Sequence, residues 1–280
     1  MKYSKNSSRA FFKDESFEKG FFNLQGTYIH PASIIGDNVF LDENVKIGPF
    51  CVLVGNISIG SGSRLYGNVF AGMPAQDIGT KEILGSIEIG KNCEIREYVT
   101  ISSPKISTGK TLIGDNCYCM NFSHIAHDVV LENDVILINN VNLGGHVHVG
   151  HHSMLMANAA VHQFCRVGEY ASIAPFSGTR QDVPPFCTFE GSPAIFAGLN
   201  IINLRRNNFS SEDRLLIKRI SNLFFVDKLN VDSIESKIEE NLLIRENNHV
   251  KRFLSFIKNS ERGISRKDVS RRVGQSVNPC

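Results

Sequence analysis

Hydrophobic residues recur at every sixth position through the middle of the chain. The aliphatic or sulfur-bearing residues of this series are Ile113, Cys119, Ile125, Leu131, Leu137, Leu143, Val149, Leu155, Val161, Val167 and Ile173. The residue four positions after each of them is small or β-branched, as at Cys117, Ser123 and Val129. A period of six fits neither the 3.6-residue repeat of an amphipathic helix nor the alternation of a half-exposed strand. It predicts a hexapeptide solenoid, in which each hexad forms one short strand and a corner, and three hexads close one triangular coil.

The same period begins near the N-terminus and is interrupted twice. It is present from Ile29, lapses over residues 71–86, resumes at Ile89 and lapses again over residues 102–112. We expect the two lapses to be loops that leave the side of the solenoid, where binding groups often lie.

Glycine occupies the second position of several early hexads. Gly36, Gly48 and Gly60 each follow the aliphatic first position directly. Because glycine reaches a positive φ without the steric cost that other residues meet, the sequence predicts a positive φ at these glycines, in the corners of the coil.

The end of the chain has a helical period in place of the hexads. From Ser210 the apolar residues follow the spacing of amphipathic helices, and Ser210 with Asp213 resembles a helix-capping pair. The predicted fold is therefore mainly β, a parallel β-helix of hexapeptide repeats with a C-terminal α-helical domain. The predicted divisions are an N-terminal extension (1–26), the β-helix (27–200), the helical domain (201–264) and a polar tail (265–280).

The composition favours a folded cytoplasmic protein. A chain of 280 residues with 42% hydrophobic content can bury a sizeable core. Its seven cysteines show no metal-type spacing, which favours a reduced compartment. No signal-peptide pattern is present, and no run approaches the about 18 apolar residues of a membrane-spanning helix. We therefore expect no stable membrane insertion.

The charge of the chain is uneven. The formal net charge is +2, but residues 201–280 carry 16 Lys and Arg against 10 Asp and Glu. A basic helical end suits an acidic protein partner. Nothing in the sequence indicates a nucleic-acid partner.

Histidines crowd into one stretch of the predicted solenoid. Six of the nine lie between residues 124 and 152, and another follows at 162. Because one coil takes 18 residues, positions 127, 145 and 163 lie in register on successive coils, about 5 Å apart. Such a cluster can serve acid–base chemistry, bind a metal or be a set of exposed corner histidines. Asp128 can fix the tautomer of His127 and stabilise its imidazolium, so His127 is the best candidate for a general base.

Several motifs resemble the UDP-N-acetylglucosamine acyltransferases of lipid A biosynthesis. They are SHIAHD (123–128), GGHV (144–147), AVHQF (160–164), QDVPP (181–185), LNIINLRRNNF (199–209) and the closing ERGI (261–264). The resemblance implies a left-handed β-helix and a homotrimer with active sites between subunits. It also implies transfer of a 3-hydroxyacyl group from acyl carrier protein to the 3-position of a UDP-amino sugar, without a cofactor or a metal.

The resemblance also implies a role for each matching residue. His127 is the expected general base, Asp128 its orienting acid and Gly145 the backbone N–H donor to the thioester oxyanion. The expected substrate-binding residues are Asp77, His124, His146, His162, Gln163, Asn200, Arg205 and Arg206. Arginine suits the diphosphate of the sugar nucleotide because its guanidinium pairs well with phosphate oxygens.

The chain departs from the family pattern at four positions. Gly79 stands in place of a lysine, Ile202 of a glutamate and Asn207 of an arginine, and Pro175 lies where the family sets acyl length. The acyl length and the acceptor group, hydroxyl or amine, are therefore left open.

Other functions remain open at this point. A related hexapeptide acyltransferase could act on a different nucleotide sugar. The N-acyltransferase of the same pathway normally carries a uridine-binding domain before the β-helix, for which 26 residues leave no room. A zinc-dependent γ-type carbonic anhydrase would use His146 and His151, but no histidine lies near Lys110, where its third ligand is expected. The His127–Asp128 pair argues against an inactive binding scaffold.

Overall fold

The computed structural model describes residues 22–24 and 26–265. The predicted N-terminal extension and polar tail therefore lie almost entirely outside the described residues. Between them, the chain forms a triangular prism whose three sides are sheets of short strands, numbered here in chain order.

The first side is an eleven-stranded face. In spatial order it contains β1 (Phe22–Leu24), β2 (Thr27–Ile29), β5 (Lys46–Ile47), β8 (Arg64–Leu65), β11 (Glu94–Ile95), β14 (Tyr118–Cys119), β17 (Ile136–Leu137), β20 (Met154–Leu155), β23 (Ser172–Ile173), β25 (Cys187–Glu190) and β26 (Ile195–Leu199). Its end pairs β1–β2 and β25–β26 are antiparallel, and the pairs between them are parallel.

The other two sides are parallel throughout. The eight-stranded face contains β3 (Ile34–Ile35), β6 (Val52–Leu53), β9 (Phe70–Met73), β12 (Thr100–Ser102), β15 (His124–Ile125), β18 (Asn142–Leu143), β21 (Ala160–Val161) and β24 (Gly178–Thr179). The seven-stranded face contains β4 (Val39–Leu41), β7 (Asn56–Ile59), β10 (Ser86–Ile89), β13 (Lys110–Ile113), β16 (Val130–Leu131), β19 (His148–Val149) and β22 (Arg166–Val167).

The period of six accounts for the core of the prism. Ile125 pairs with Leu143, which pairs with Val161, so each uninterrupted coil takes 18 residues. The aliphatic first position of each hexad points inward, and these side chains are almost completely buried, as are the small residues at the fifth position. The prediction of a left-handed parallel β-helix is confirmed.

The corners differ from the prediction. The predicted positive φ at the second-position glycines is wrong, because the left-handed conformation falls on the fourth position of the hexad, as at Phe122 (φ 63°) and Asp128 (φ 58°). The glycines serve close approach between coils instead. A Cβ on Gly48 would lie 1.5 Å from the carbonyl oxygen of Tyr66 on the next coil.

The two lapses of the period form loops at the same corner. The first loop (residues 74–85) joins β9 to β10, and the second loop (residues 103–109) joins β12 to β13. Both therefore lie between the eight-stranded and the seven-stranded faces. We call this edge of the prism the loop corner; the turns that contain His127, Gly145 and Gln163 also belong to it.

Helices follow the last strand. They are α1 (Ile201–Arg206), α2 (Ser211–Phe225), α3 (Val231–Ile238), α4 (Leu242–Arg245) and α5 (Asn248–Lys258). The predicted cap is present, since the Ser210 hydroxyl accepts a hydrogen bond from the Asp213 N–H at 2.9 Å. Helices α2 and α5 pack together, and their buried side chains join the core of the β-helix. None of the described helices is long and apolar enough to cross a membrane.

Candidate active site

The loop corner stacks the predicted catalytic residues on successive coils. The His127 carbonyl accepts from the N–H of His146 at 3.1 Å, and the Gly145 carbonyl accepts from the N–H of Phe164 at 2.9 Å. These bonds link positions 127, 145 and 163 in the order that the period of 18 predicts. The regular coil therefore brings side chains from three distant motifs to one edge.

His127 and Asp128 form a close pair. The His127 Nδ1 lies 2.9 Å from the Asp128 Oδ2, and the two side chains are only 12% and 10% exposed. Because an ionised carboxylate only accepts hydrogen bonds, Nδ1 carries the proton. The lone pair of the neutral ring is then on Nε2, the nitrogen that can take a proton from a bound substrate.

The second loop holds the Asp128 carboxylate in place. Thr111 Oγ1 accepts the backbone N–H of Asp128, and the backbone N–H of Lys105 donates to its Oδ2, both at 3.0 Å. A Cβ on Gly109 would lie 2.5 Å from the Asp128 Oδ1. Sequence reasoning missed Lys105 and Thr111; the lapse of the period around them was the available signal.

Gly145 lies directly against the His127 ring. A Cβ at this glycine would be 2.4 Å from Cε1 and 2.5 Å from Nε2 of the imidazole. No larger residue fits without moving the ring. The absence of a side chain therefore allows the backbone to approach the nitrogen at which the chemistry is expected.

A groove of about 790 Å³ runs along the eight-stranded face beside these residues. Five predicted site residues line it, namely His124, His127, Gly145, His162 and Gln163. Asn142 and Arg180 also line the groove, and sequence reasoning missed both. Asn142 had a signal, because one coil separates it from His124, with which it pairs in the sheet.

His124 is held by the strand beside it. Its Nδ1 lies 2.7 Å from the hydroxyl of Thr100. Burial, together with the neighbouring His127, lowers the pKa of His124. The neutral ring therefore offers hydrogen bonds, and no charge, to the groove. Thr100 has no chemical motif around it and could not be identified from the sequence.

His146 lies on the outer side of the His127–Asp128 pair. Its ring stacks on Phe164 with centroids 4.7 Å apart, and its Nε2 is 3.8 Å from the Asp128 Oδ2. One ligand atom from each of His127, Asp128 and His146 lies within 4.8 Å of the others, so this trio could hold a metal ion. A metal on Asp128 would compete with the hydrogen bond that orients His127.

Asp77 reaches the same corner from the first loop. It forms an ion pair with the ammonium group of Lys105, and this interaction lowers the pKa of Asp77. Lys105 therefore connects the two loops, with its side chain on Asp77 and its backbone on Asp128. Gly79, at the position of the missing lysine, would have no heavy atom within 4 Å of an added Cβ.

Asn200, Arg205 and Arg206 do not lie in this groove of the same chain. The Asn200 amide donates to the carbonyl of Tyr170 at 2.9 Å. Tyr170 turns the corner between the seven-stranded and eleven-stranded faces, which is a different edge of the prism. Arg205 and Arg206 are exposed at the end of α1, the helix that follows Asn200.

The histidine pair of the carbonic anhydrase alternative does not converge. His146 lies at the loop corner, whereas His151 lies at the corner between the seven-stranded and eleven-stranded faces. There the His151 nitrogens meet Glu132 at 3.3 Å and Glu169 at 3.0 Å. The H-x4-H spacing therefore does not produce a shared metal site within one chain.

Comparisons with known proteins extend the family resemblance. Residues 182–265 match the family model described as "Udp N-acetylglucosamine O-acyltransferase; Domain 2". The chain is 38% identical to the acyl-[acyl-carrier-protein]–UDP-N-acetylglucosamine O-acyltransferase of Thermodesulfovibrio yellowstonii, over 85% of this chain and 99% of the relative. It is 41% identical to the enzyme of the same name from Campylobacter lari, over 84% of this chain and 95% of the relative.

A solved structure gives the same result. The UDP-N-acetylglucosamine acyltransferase from Bacteroides fragilis 9343 superposes with a TM-score of 0.76 at 31% identity. The match covers 87% of this chain and all of the other.

Proposed function

Because this chain belongs to the acyl-[acyl-carrier-protein]–UDP-N-acetylglucosamine O-acyltransferases, we propose that it catalyses the first step of lipid A biosynthesis. It transfers a 3-hydroxyacyl group from acyl carrier protein to the 3-position of UDP-N-acetylglucosamine or a close analogue. The observation that carries this proposal is the His127–Asp128 pair beside the backbone of Gly145, in a groove lined by His124, His162 and Gln163.

The chemistry follows from the free nitrogen of His127. Its Nε2 takes the proton of the sugar hydroxyl while that oxygen attacks the thioester carbonyl. Asp128 keeps the proton on Nδ1 and stabilises the imidazolium that forms. The backbone N–H of Gly145 stabilises the oxyanion. The imidazolium then returns the proton to the departing thiolate, which leaves the acylated sugar, the free carrier thiol and the neutral histidine.

The active unit is a homotrimer in which Asn200, Arg205 and Arg206 complete the groove of a neighbouring subunit. Their position on a different edge from His127 supports this arrangement. A column of exposed aromatic residues also supports it, since Phe50, Phe122 and Phe176 are 60%, 55% and 76% exposed along one corner of the single chain. Large apolar residues exposed together mark contact surfaces.

Acyl carrier protein is the donor and the second partner. The excess of basic residues after position 200 complements an acidic carrier. The reaction uses groups of the chain alone, with no cofactor or metal, and takes place in the cytoplasm, where the carrier and the sugar nucleotide are found.

Product analysis tests this function. Purified protein is incubated with UDP-N-acetylglucosamine or its 3-amino analogue and a panel of acyl carrier protein thioesters, and products are identified by mass spectrometry. We expect an ester at the sugar 3-hydroxyl, formed best from a 3-hydroxyacyl donor and absent with His127→Ala. An amide formed only from the 3-amino sugar would change the acceptor. About one zinc per subunit with carbon dioxide hydration would replace the function.

A further inference from the structure

Two motifs that are far apart in the sequence meet at the end of the β-helix. Asp182 of QDVPP donates its backbone N–H to the carbonyl of Gly263 in ERGI at 2.9 Å, and Asp182 forms a parallel bridge with Ile264. The last residues described by the structure are thereby fixed on the final coil.

The Asp182 side chain strengthens this junction. It is fully buried, its Oδ1 accepts the backbone N–H of Arg166 and its Oδ2 accepts the hydroxyl of Ser260, both at 2.7 Å. Both oxygens of a buried carboxylate are therefore satisfied, as is required to keep the charge in place. The segment from Ser260 to Ile264 has a defined position with respect to the groove.

This position places Arg262 against a residue of the groove. An Arg262 Nη2 lies 3.2 Å from the Nδ1 of His162. A guanidinium is always protonated and only donates hydrogen bonds, so Nδ1 must accept. The ring proton of His162 is then on Nε2.

The backbone offers His162 the opposite arrangement. The same Nδ1 lies 3.3 Å from the carbonyl oxygen of Gln163, which could only accept a proton from it. Arg262 and the Gln163 carbonyl therefore favour different tautomers of one ring. The charge-assisted bond from Arg262 is the stronger of the two.

We propose that Arg262 is a positioning residue of the acyl-transfer site, which selects the tautomer of His162 that presents an N–H at Nε2 to the groove. This inference rests on the proposed function. A donor at this place suits an oxygen of the substrate, carbonyl or phosphate, whereas the other tautomer would face that oxygen with a lone pair. Arg262 acts through His162 and does not itself contact the reacting atoms.

A double-mutant cycle tests the proposal by kinetics. We expect Arg262→Ala to lower kcat/KM about fivefold to tenfold, the effect of one hydrogen bond. In a His162→Ala background the same change should cost nothing further. Arg262→Lys, which keeps a charged donor, should recover part of the loss, and the exposed neighbour Glu261→Gln serves as the matched control. Equal losses in both backgrounds, or no loss in the wild-type background, would overturn the proposal.

Nitrogen-15 NMR of histidine-labelled protein tests the tautomer itself, with the His162 signals assigned by their loss in His162→Ala. In the wild-type protein Nδ1 of His162 should be unprotonated, and in Arg262→Ala the proton should move to Nδ1. An unchanged tautomer in Arg262→Ala would overturn the proposal. This measurement does not depend on turnover, so it still decides the role of Arg262 if no acyl transfer is found and the proposed function fails.

Discussion

The His127 ring is held by a carboxylate at Nδ1 and is covered by a glycine backbone near Nε2. The two contacts do different things. Asp128 determines which nitrogen carries the proton, and Gly145 leaves room for the ring at the position where the proton is transferred. Each contact can be removed separately.

Removal of the base should affect turnover far more than binding. We expect His127→Ala to lower kcat by about 10²- to 10⁴-fold, the range for loss of a general base. Asp128→Ala should cost less, because the base itself remains. Steady-state kinetics against pH checks both. Wild-type activity should rise as the imidazole deprotonates, and His127→Ala should lose that limb. Near-normal turnover in His127→Ala would exclude it as the base.

Addition of one methyl group at Gly145 should be almost as harmful. The Cβ of Gly145→Ala would lie 2.4 Å from the His127 ring and must displace it. A displacement of this kind can cost about a hundredfold in kcat. Gly79→Ala is the control, since its Cβ meets no heavy atom within 4 Å. If Gly145→Ala kept wild-type kcat while folding normally, the close approach of ring and backbone would have no catalytic role.

At the scale of elements, a charged network joins the β-helix to α5. His151 lies between Glu132 and Glu169, and Glu169 also pairs with Arg252 of α5 at 2.7 Å. Hydrogen bonds to Glu132, and next to Glu169, raise the pKa of His151 to about 9. Protonated His151 therefore compensates two carboxylates at the junction. The hydrogen bond from His148 is the main cause that lowers the pKa of Glu132.

The raised pKa predicts a pH-dependent contribution to stability. Because the pKa of His151 rises from 6.5 to about 9 on folding, its stabilisation is fully present below about pH 6.5 and is lost as the pH rises through about 9. We expect His151→Gln to lower the free energy of unfolding at pH 6 and to have little effect at pH 10. Urea denaturation at several pH values measures this difference.

A second variant shows whether the carboxylate is the cause. Glu132→Gln removes the first-ranked partner of His151, so it should abolish most of the pH dependence that His151→Gln removes. A His151→Gln effect that stays constant between pH 6 and pH 10 would contradict the network as described.

At the scale of the whole molecule, the proposed site requires residues from two edges of the prism. His127 is at the loop corner, and Arg206 follows the helix that begins beside Tyr170 on another corner. A trimer can bring these edges together because a rotational assembly repeats the same contact between all neighbouring subunits.

Mixed trimers test this arrangement. Arg206→Ala alone should raise the KM for the sugar nucleotide more than it lowers kcat, because the diphosphate is remote from the new bond. Co-expressed His127→Ala and Arg206→Ala chains should recover activity, since about one site in four then receives both intact residues by random pairing. No recovery, or a stable active monomer in sedimentation, would contradict sites shared between subunits.

The sequence by itself determined the prism and the column of catalytic candidates. A strict period of six permits one way of burying an apolar row, and it converts positions 127, 145 and 163 into neighbours on stacked coils. Asp128 was evident because it is adjacent to His127 in the chain. In these cases a local or periodic rule fixes the distance in space.

Only the tertiary structure decided which residues surround that column. Lys105 and Thr111 reach Asp128 through a loop, and Arg262 reaches His162 from the end of the chain. No period relates these positions, because loops and chain ends take their course from packing against the finished coil. The corner φ values were misjudged for a related reason, since contact between coils requires the glycines at one position and leaves the left-handed turn to another.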